Sequence, residues 1–260
     1  MTWITALREQ GIVKTPPFLP TDSGSPVATV TLPNGASRYV ARFAWVDGVE
    51  PTEDRLVEDF KQLGAITARL HLHTKGWSRP AGFTRFTWDF ETSLGSDGHW
   101  GSWRDGLGVG PEEAEILGRC ADRIQARLQA YGKGPDRFGL VHADMRLANL
   151  LVDGPNVTVI DFDDCGFSWF MYDLGSSLSF IEHEPYVPDL VDSWVTGYRS
   201  VTPLTVDEET ELPTFIMLRR LLLVAWIGSH SSTDLAQSMG AEFTAGSCML
   251  AEAYLTTFDR

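Results

Sequence analysis

Cysteine is scarce: Cys120, Cys165 and Cys248 are the only three in 260 residues. An odd, widely spaced set builds neither a disulfide framework nor a zinc site, and it suits a reducing, cytoplasmic setting. Positive charge is scarce too. Lys and Arg number 21 against 35 Asp and Glu, a net charge of −14, which excludes the basic footprint of a nucleic-acid or anionic-membrane binder. No long apolar run occurs. The most apolar stretch, residues 218–228, is split by Arg219 and Arg220, is too short to span a bilayer, and reads as a buried helix. Residues 1–10 are polar and mixed, without the basic and apolar regions of a secretory signal. Internal repeats and low-complexity tracts are also missing. What is there, 43% hydrophobic and 22% charged residues, is the composition of a folded chain with a well-buried core, not of a disordered, collagenous or coiled-coil one.

Trp3, Ile4 and Leu7 mark a helix closed by Gly11, and Pro16, Pro17 and Pro20 forbid its continuation. Residues 27–32, a Pro33-Asn34-Gly35 turn and residues 38–46 predict a β-hairpin, because Asn-Gly supplies the positive φ angles of a tight turn. Pro51 and Glu53 open a helix with apolar residues at 56, 57, 60, 63, 66 and 70. Residues 76–110 read as loop, rich in Trp, Gly and Asp. Pro111-Glu112-Glu113 starts another helix, striped by Ile116, Leu117, Cys120, Ile124 and Leu128 and stopped at Gly132. Residues 138–165 alternate apolar runs with polar punctuation, as buried strands around a loop do. From Leu174 onward the chain reads helical, with Pro185, Pro188, Pro203 and Pro213 separating the helices. The fold class is therefore α+β, with a small β-containing segment over residues 1–46 and a mainly helical body over residues 47–260.

Two stretches carry the chemistry: His142-Ala143-Asp144-Met145-Arg146-Leu147-Ala148-Asn149, and Val159-Ile160-Asp161-Phe162-Asp163-Asp164. Apolar, β-prone residues flank both, so their ionisable members sit at strand ends, where burial without a partner is costly. Phosphoryl transfer from ATP needs a carboxylate to orient and deprotonate an acceptor hydroxyl, and hard oxygen ligands for Mg²⁺. Asp144 suits the first task, and Asn149 and Asp161 suit the second. Asp163 or Asp164 could serve a second metal shell or be ordinary loop acids. His142 suits fixing the loop by hydrogen bonds better than acting as the base.

The order His-x-Asp-x-x-x-x-Asn, then a strand ending Ile-Asp-Phe, resembles the aminoglycoside phosphotransferase and choline kinase family. That family shares the bilobal protein-kinase-like fold, whose H-R-D-L-x-x-x-N and D-F-G motifs are the same parts. Asp161-Phe162-Asp163-Asp164 with Trp169 and Tyr172-Asp173-Leu174 is most similar to the subgroup of homoserine-kinase-like enzymes and a bacterial stress-response Ser/Thr kinase. The resemblance covers nearly the whole chain from Trp3 onward. It implies ATP and Mg²⁺ as cofactors, Asp144 as catalytic base, Asn149 and Asp161 as magnesium ligands, and Asp173 as the buried brace of the catalytic loop. Leu151 and Ile160 would floor the adenine site. Residues 42–46 would be the hinge, with backbone groups of Ala44 and Val46 reading the adenine edge.

The same resemblance implies parts that this sequence does not contain. No Gly-rich phosphate loop precedes the hinge, and Lys14, just ahead of Thr15-Pro16-Pro17, is poorly placed to pair phosphates. The expectation is a truncated small lobe, with the Gly-rich loop, its Lys and the partner Glu upstream of Met1. A misplaced start, an inactive remnant or completion by another chain would each account for it; the intact catalytic loop favours the first. Two rival functions follow. One is a kinase-like module that binds without transferring phosphate; the other is a metal-dependent phosphohydrolase using His142, Asp144, Asp161, Asp163 and Asp164.

The remaining features are blander. His71 and His73, two apart on a helix, face different ways and form no metal pair. His183 and His230 read as solvated or capping. The aromatic stretch 88–103 is a packed surface loop or a substrate wall, and Cys165 has no activating cation nearby in sequence. Residues 161–211 hold twelve Asp or Glu against Arg199 alone. That is either a solvated acidic surface or a face that concentrates a cationic acceptor. The partner expected is a hydroxyl acceptor: a small molecule such as an aminoglycoside or amino alcohol, or else a protein Ser/Thr; nothing in the sequence sets the oligomeric state.

Overall fold

Trp3, Ile4 and Leu7 form the buried stripe of helix α1 (Thr2–Glu9), as their spacing requires. The computed structural model describes residues 1–154 and 156–258. After α1 come β1 (Phe18–Leu19), β2 (Ala28–Thr31), β3 (Ser37–Val40) and β4 (Arg42–Phe43). Strands β2 and β3 form the predicted hairpin, with Thr29 opposite Tyr39 and Gly35 supplying a φ of 81° at the turn. The predicted strand 38–46 is not continuous. The chain leaves β2 after Val40, and β4 pairs instead with β1, extended by the Ala44 N–H to Pro17 carbonyl bond. The two ribbons have different partners, so the chain must turn between them at Ala41.

Helix α2 (Leu56–Gly76) carries Glu58 and Asp59 in its first turn and buries Phe60, Leu63, Ile66 and Leu70, while Val57 faces solvent. The expected loop 76–110 contains a short helix, α3 (Phe90–Ser93), capped by the Asp89 side chain. Helix α4 (Pro111–Tyr131) ends at Gly132, whose φ is 77°. Four short strands follow: β5 (Phe138–Val141), β6 (Leu150–Asp153), β7 (Asn156–Val159) and β8 (Gly166–Trp169). They pair antiparallel as β5 with β8 and β6 with β7. The last helices are α5 (Tyr172–Ser177), α6 (Val187–Arg199), α7 (Val206–Thr210), α8 (Leu212–Ser229) and α9 (Asp234–Phe258), the last kinked at Gly240. Pro188 and Pro213 do not separate helices. Each sits in the first turn of one, where a missing N–H costs nothing.

Helix α8 is apolar nearly all round, which places it at the centre of the body against α5, α9 and α4. By length and composition it could cross a membrane, but 72% of it is buried inside the protein. Arg219 and Arg220 lie mid-helix with buried carboxylate partners, Asp144 and Glu182. Five acids of the run 161–211 have basic partners. Asp173 meets His71, Glu182 meets Arg220, Asp207 meets Arg137, Glu209 meets Arg199 and Glu211 meets Arg127. Most of these partners are remote in sequence.

Candidate active site

Strand β5 leads into the buried His142, and the next residue turns sharply: Ala143 has φ 68°, a left-handed conformation uncommon outside glycine. Asp173, at the start of α5, holds that turn. Its carboxylate accepts the Ala143 N–H at 2.7 Å and the His142 N–H at 3.3 Å, and it meets His71 Nε2 at 3.0 Å. His71 Nδ1 lies 3.0 Å from the Tyr198 hydroxyl, so the brace reaches α2 and α6. His142 Nε2 donates to the Ile160 carbonyl at 3.1 Å, and its Nδ1 accepts the Asp144 N–H at 3.4 Å. Burial pushes its pKa down, so it is a neutral ring fixing the loop.

Both Asp144 oxygens are engaged. Oδ1 accepts from Arg219 Nη2 at 2.8 Å; Oδ2 accepts from Asn149 Nδ2 at 2.8 Å and Arg146 Nε at 3.2 Å. Burial pushes the Asp144 carboxyl up, but Arg219, then Arg146, with the Asn149 amide, outweigh it and hold the group below its ordinary value. Asn149 Nδ2 also donates to the Asp144 main-chain oxygen at 2.7 Å. The amide is thus turned so that its Oδ1 remains for another ligand.

Arg219 is the residue sequence reading missed; there it served only to interrupt an apolar run. Its guanidinium donates to Asp144, the Ala143 carbonyl at 3.3 Å, the Tyr172 hydroxyl at 3.2 Å and Ser179 Oγ at 2.9 Å. The signal available was two arginines inside a helix otherwise too apolar for any surface, since buried cations require partners.

Asp161 follows β7 with φ 60°, also left-handed. Next to it Phe162 is buried between the Trp3 and His142 rings, at 5.4 and 4.5 Å. The Ile160 N–H donates to the Asn149 carbonyl at 2.9 Å, tying the two motifs together. A hydrogen bond with Asp163, then burial and the nearby charges of Asp163 and Asp144, raise the Asp161 carboxyl to about 7. Asp164 is raised to about 6 by burial first and by Asp163 and Asp144 next. Among the described residues no three His, Cys, Asp or Glu side chains converge as a ready metal cage. Mg²⁺ does not require one, since it binds through one or two carboxylates plus substrate phosphates. Asp161 and Asp163, two carboxylates at one end of the same cavity, fit that donor chemistry.

Beside these acids opens a cavity of about 830 Å³, lined by Ala44, Val46, Leu151 and Ile160, with Asp161 and Asp163 at one end. All four residues expected to contact adenine therefore line one hollow. Two other hollows, of about 790 and 700 Å³, contain none of the motif residues. The Ala44 N–H is occupied by Pro17, so only the carbonyl of Ala44 is left to read a base edge. Arg85 lines the cavity and donates to the main-chain oxygens of Asp163 and Cys165. Folding thus brings to Cys165 a cation that sequence did not show, yet burial still pushes the thiol up to about 11. Lys14 points elsewhere, onto the Asn156 side chain. The aromatic stretch is packed onto the acidic loop and Arg219. Trp88 Nε1 donates to the Asp164 carbonyl at 2.8 Å, and the Trp100 ring lies 5.4 Å from the Arg219 guanidinium carbon.

A depressed carboxylate, an amide and a carboxylate pair beside a nucleoside-sized hollow are the kinds of group that phosphoryl transfer needs. The phosphotransferase enzyme family matches residues 1–207, and the chain belongs to it. A structure of the microcompartment-associated aminopropanol kinase superposes with a TM-score of 0.92 at 48% identity, covering 98% of this chain and 80% of that one. Amicoumacin kinase of Bacillus subtilis (strain 168) is 30% identical over 247 residues, 90% of this chain and 69% of that protein. The amicoumacin kinase hAmiN, solved with AMP-PNP, Ca²⁺ and Ami, shares the fold with a TM-score of 0.76 at 22% identity, covering 95% of this chain and 75% of that one. The expected fold class and enzyme class, a kinase acting on an alcohol group, are those of these relatives.

Proposed function

We propose that the protein is an ATP- and Mg²⁺-dependent kinase that phosphorylates the hydroxyl of a small amino alcohol in the cytoplasm. The observation that carries the reaction class is the hydrogen-bonded Asp144–Asn149 unit beside the cavity floored by Leu151 and Ile160. The acceptor class rests on the 48% identity to the aminopropanol kinase.

In this reading adenine lies on Leu151 and Ile160, with the Ala44 carbonyl and the Val46 backbone at its edge. Asp144 orients the acceptor hydroxyl and takes its proton as the oxygen attacks the terminal phosphorus. A carboxylate held ionised and weakly basic suits a loose transition state, in which proton transfer is late. Asn149 Oδ1 and Asp161, with Asp163 behind, would hold Mg²⁺, whose contribution is to neutralise and bridge the phosphates. Asp173 acts one step back, through the loop. Arg146, bonded to Asp144, and Arg85, which lines the cavity, are cations that would face the phosphates.

ADP release with aminopropanol as probe tests this, with propanediol as the uncharged comparison. Turnover of the amine that disappears in Asp144→Asn supports the reading. A second reading, a module that binds nucleotide without transfer, is favoured by the engagement of Lys14 with Asn156. It predicts stabilisation by Mg-AMP-PNP with no ADP release from any alcohol.

A further inference from the structure

We propose that Arg219 is a positioning residue of the reaction, holding the Asp144 carboxylate in the orientation that meets the acceptor, and that Trp100 is the cover that shields this contact from water. The inference rests on the phosphotransfer reading above. Arg219 belongs to neither motif and reaches Asp144 from α8, 75 residues away. Its guanidinium joins Ala143 and Asp144 to Tyr172 and to Ser179 through four hydrogen bonds. Ala143 is the left-handed residue of the loop. Its N–H is held by Asp173 and its carbonyl by Arg219, so both peptides around the turn are clamped by charged side chains.

The other cation on Asp144 is different in kind. The Arg146 side chain is 33% exposed, whereas that of Arg219 is 4% exposed and fully engaged. Over Arg219 lies Trp100, itself packed on Trp88 at 5.1 Å, and Trp88 is bonded to the Asp164 carbonyl. A buried ion pair adds little net stability over an apolar isostere. What this pair adds is a fixed carboxylate, and misplacing a reacting group by an ångström costs about 10²-fold in rate.

The test is kinetics with aminopropanol and ATP, alongside stabilisation by Mg-AMP-PNP, for Arg219→Met, Arg219→Lys and Trp100→Ala. Arg219→Met should lose about 10²-fold in kcat while both KM values move by less than about threefold and the nucleotide-induced rise in Tm persists. Arg219→Lys should recover part of kcat, because a merely structural loss would not track the returned charge. Trp100→Ala, on a surface loop, should lower kcat by about 10-fold through exposure of the guanidinium. A folded Arg219→Met with wild-type kcat overturns the proposal, as does a kcat loss matched by loss of nucleotide binding. If neither Arg219 variant folds, an unchanged kcat in Trp100→Ala overturns it. A wild-type protein inactive toward every alcohol overturns the functional reading first, and this inference with it.

Discussion

The Asp173 carboxylate accepts the Ala143 N–H at 2.7 Å and so holds, in a left-handed conformation, the residue immediately before the candidate base. An alanine there bears a steric cost of about 1–2 kcal/mol that glycine would not. Ala143→Gly should therefore leave stability unchanged or raise it by up to about 1 kcal/mol, despite the added unfolded-state freedom. Asp173→Asn turns an amide toward two N–H donors and should cost about 1–3 kcal/mol and most of the activity. Urea unfolding of the two variants decides the matter: a destabilised Ala143→Gly would contradict the strain argument.

The structure also dictates how the base should be removed. Asp144→Ala leaves the buried Arg219 guanidinium without its carboxylate, and uncompensated buried charge costs about 3–5 kcal/mol. Asp144→Asn keeps the shape and an acceptor oxygen for Arg219. It should abolish transfer with a smaller loss of stability than the alanine variant, as melting and ADP-release measurements on the pair would show. Equal melting temperatures for both variants would mean that the Arg219 contact contributes nothing to the fold.

What was legible in the sequence was local. His142, Asp144, Asn149 and Asp161 are read from spacing within two short stretches, and the fold brings them together because the Ile160 N–H closes on the Asn149 carbonyl. Helices with one apolar stripe, such as α4, were equally legible. Partnerships across long sequence separations were not. Arg219 on Asp144 and His71 on Asp173 span 75 and 102 residues, and no periodicity encodes them. The partners of several acids in the run 161–211, Arg127, Arg137 and Arg220, were hidden for the same reason, since they come mostly from other elements. The hairpin was right in its turn and wrong in its extent, because β4 takes β1 as partner.

Without a cation, Asp161 holds its proton up to about 7, against an ordinary value of 3.8. A raised carboxyl binds its proton more tightly in the folded state. Its contribution is therefore full at acid pH and is lost as pH climbs from the ordinary value toward about 7. Asp164, raised to about 6, acts in the same sense. In chelator, the Tm difference between wild type and Asp161→Asn should thus move against the wild type from about pH 5 to pH 8. Protons compete with Mg²⁺ for the same oxygens, so stabilisation by Mg-AMP-PNP should be larger at the upper end of that range and much reduced in Asp161→Asn. A Mg²⁺ effect independent of pH would exclude Asp161 as a metal ligand.

The brace behind the site depends on a close approach of two helices. A Cβ at Gly197 on α6 would lie 1.8 Å from the Lys61 carbonyl oxygen on α2, and one at Gly64 would lie 2.1 Å from the Trp194 oxygen. These contacts are with backbone, so α2 and α6 must move apart to admit even a methyl group, an overpacking worth about 1–3 kcal/mol or more. The neighbouring Tyr198 bonds His71, and His71 bonds Asp173, so separation of the helices slackens the hold on Ala143. Gly197→Ala should lower both the melting temperature and kcat, with little effect on nucleotide affinity. Gly134→Ala, where a Cβ meets nothing within 4 Å, should change none of the three. A Gly197→Ala protein that melts with the wild type would show that the helices are not in backbone contact; one that is destabilised yet fully active would uncouple the His71–Tyr198 link from catalysis.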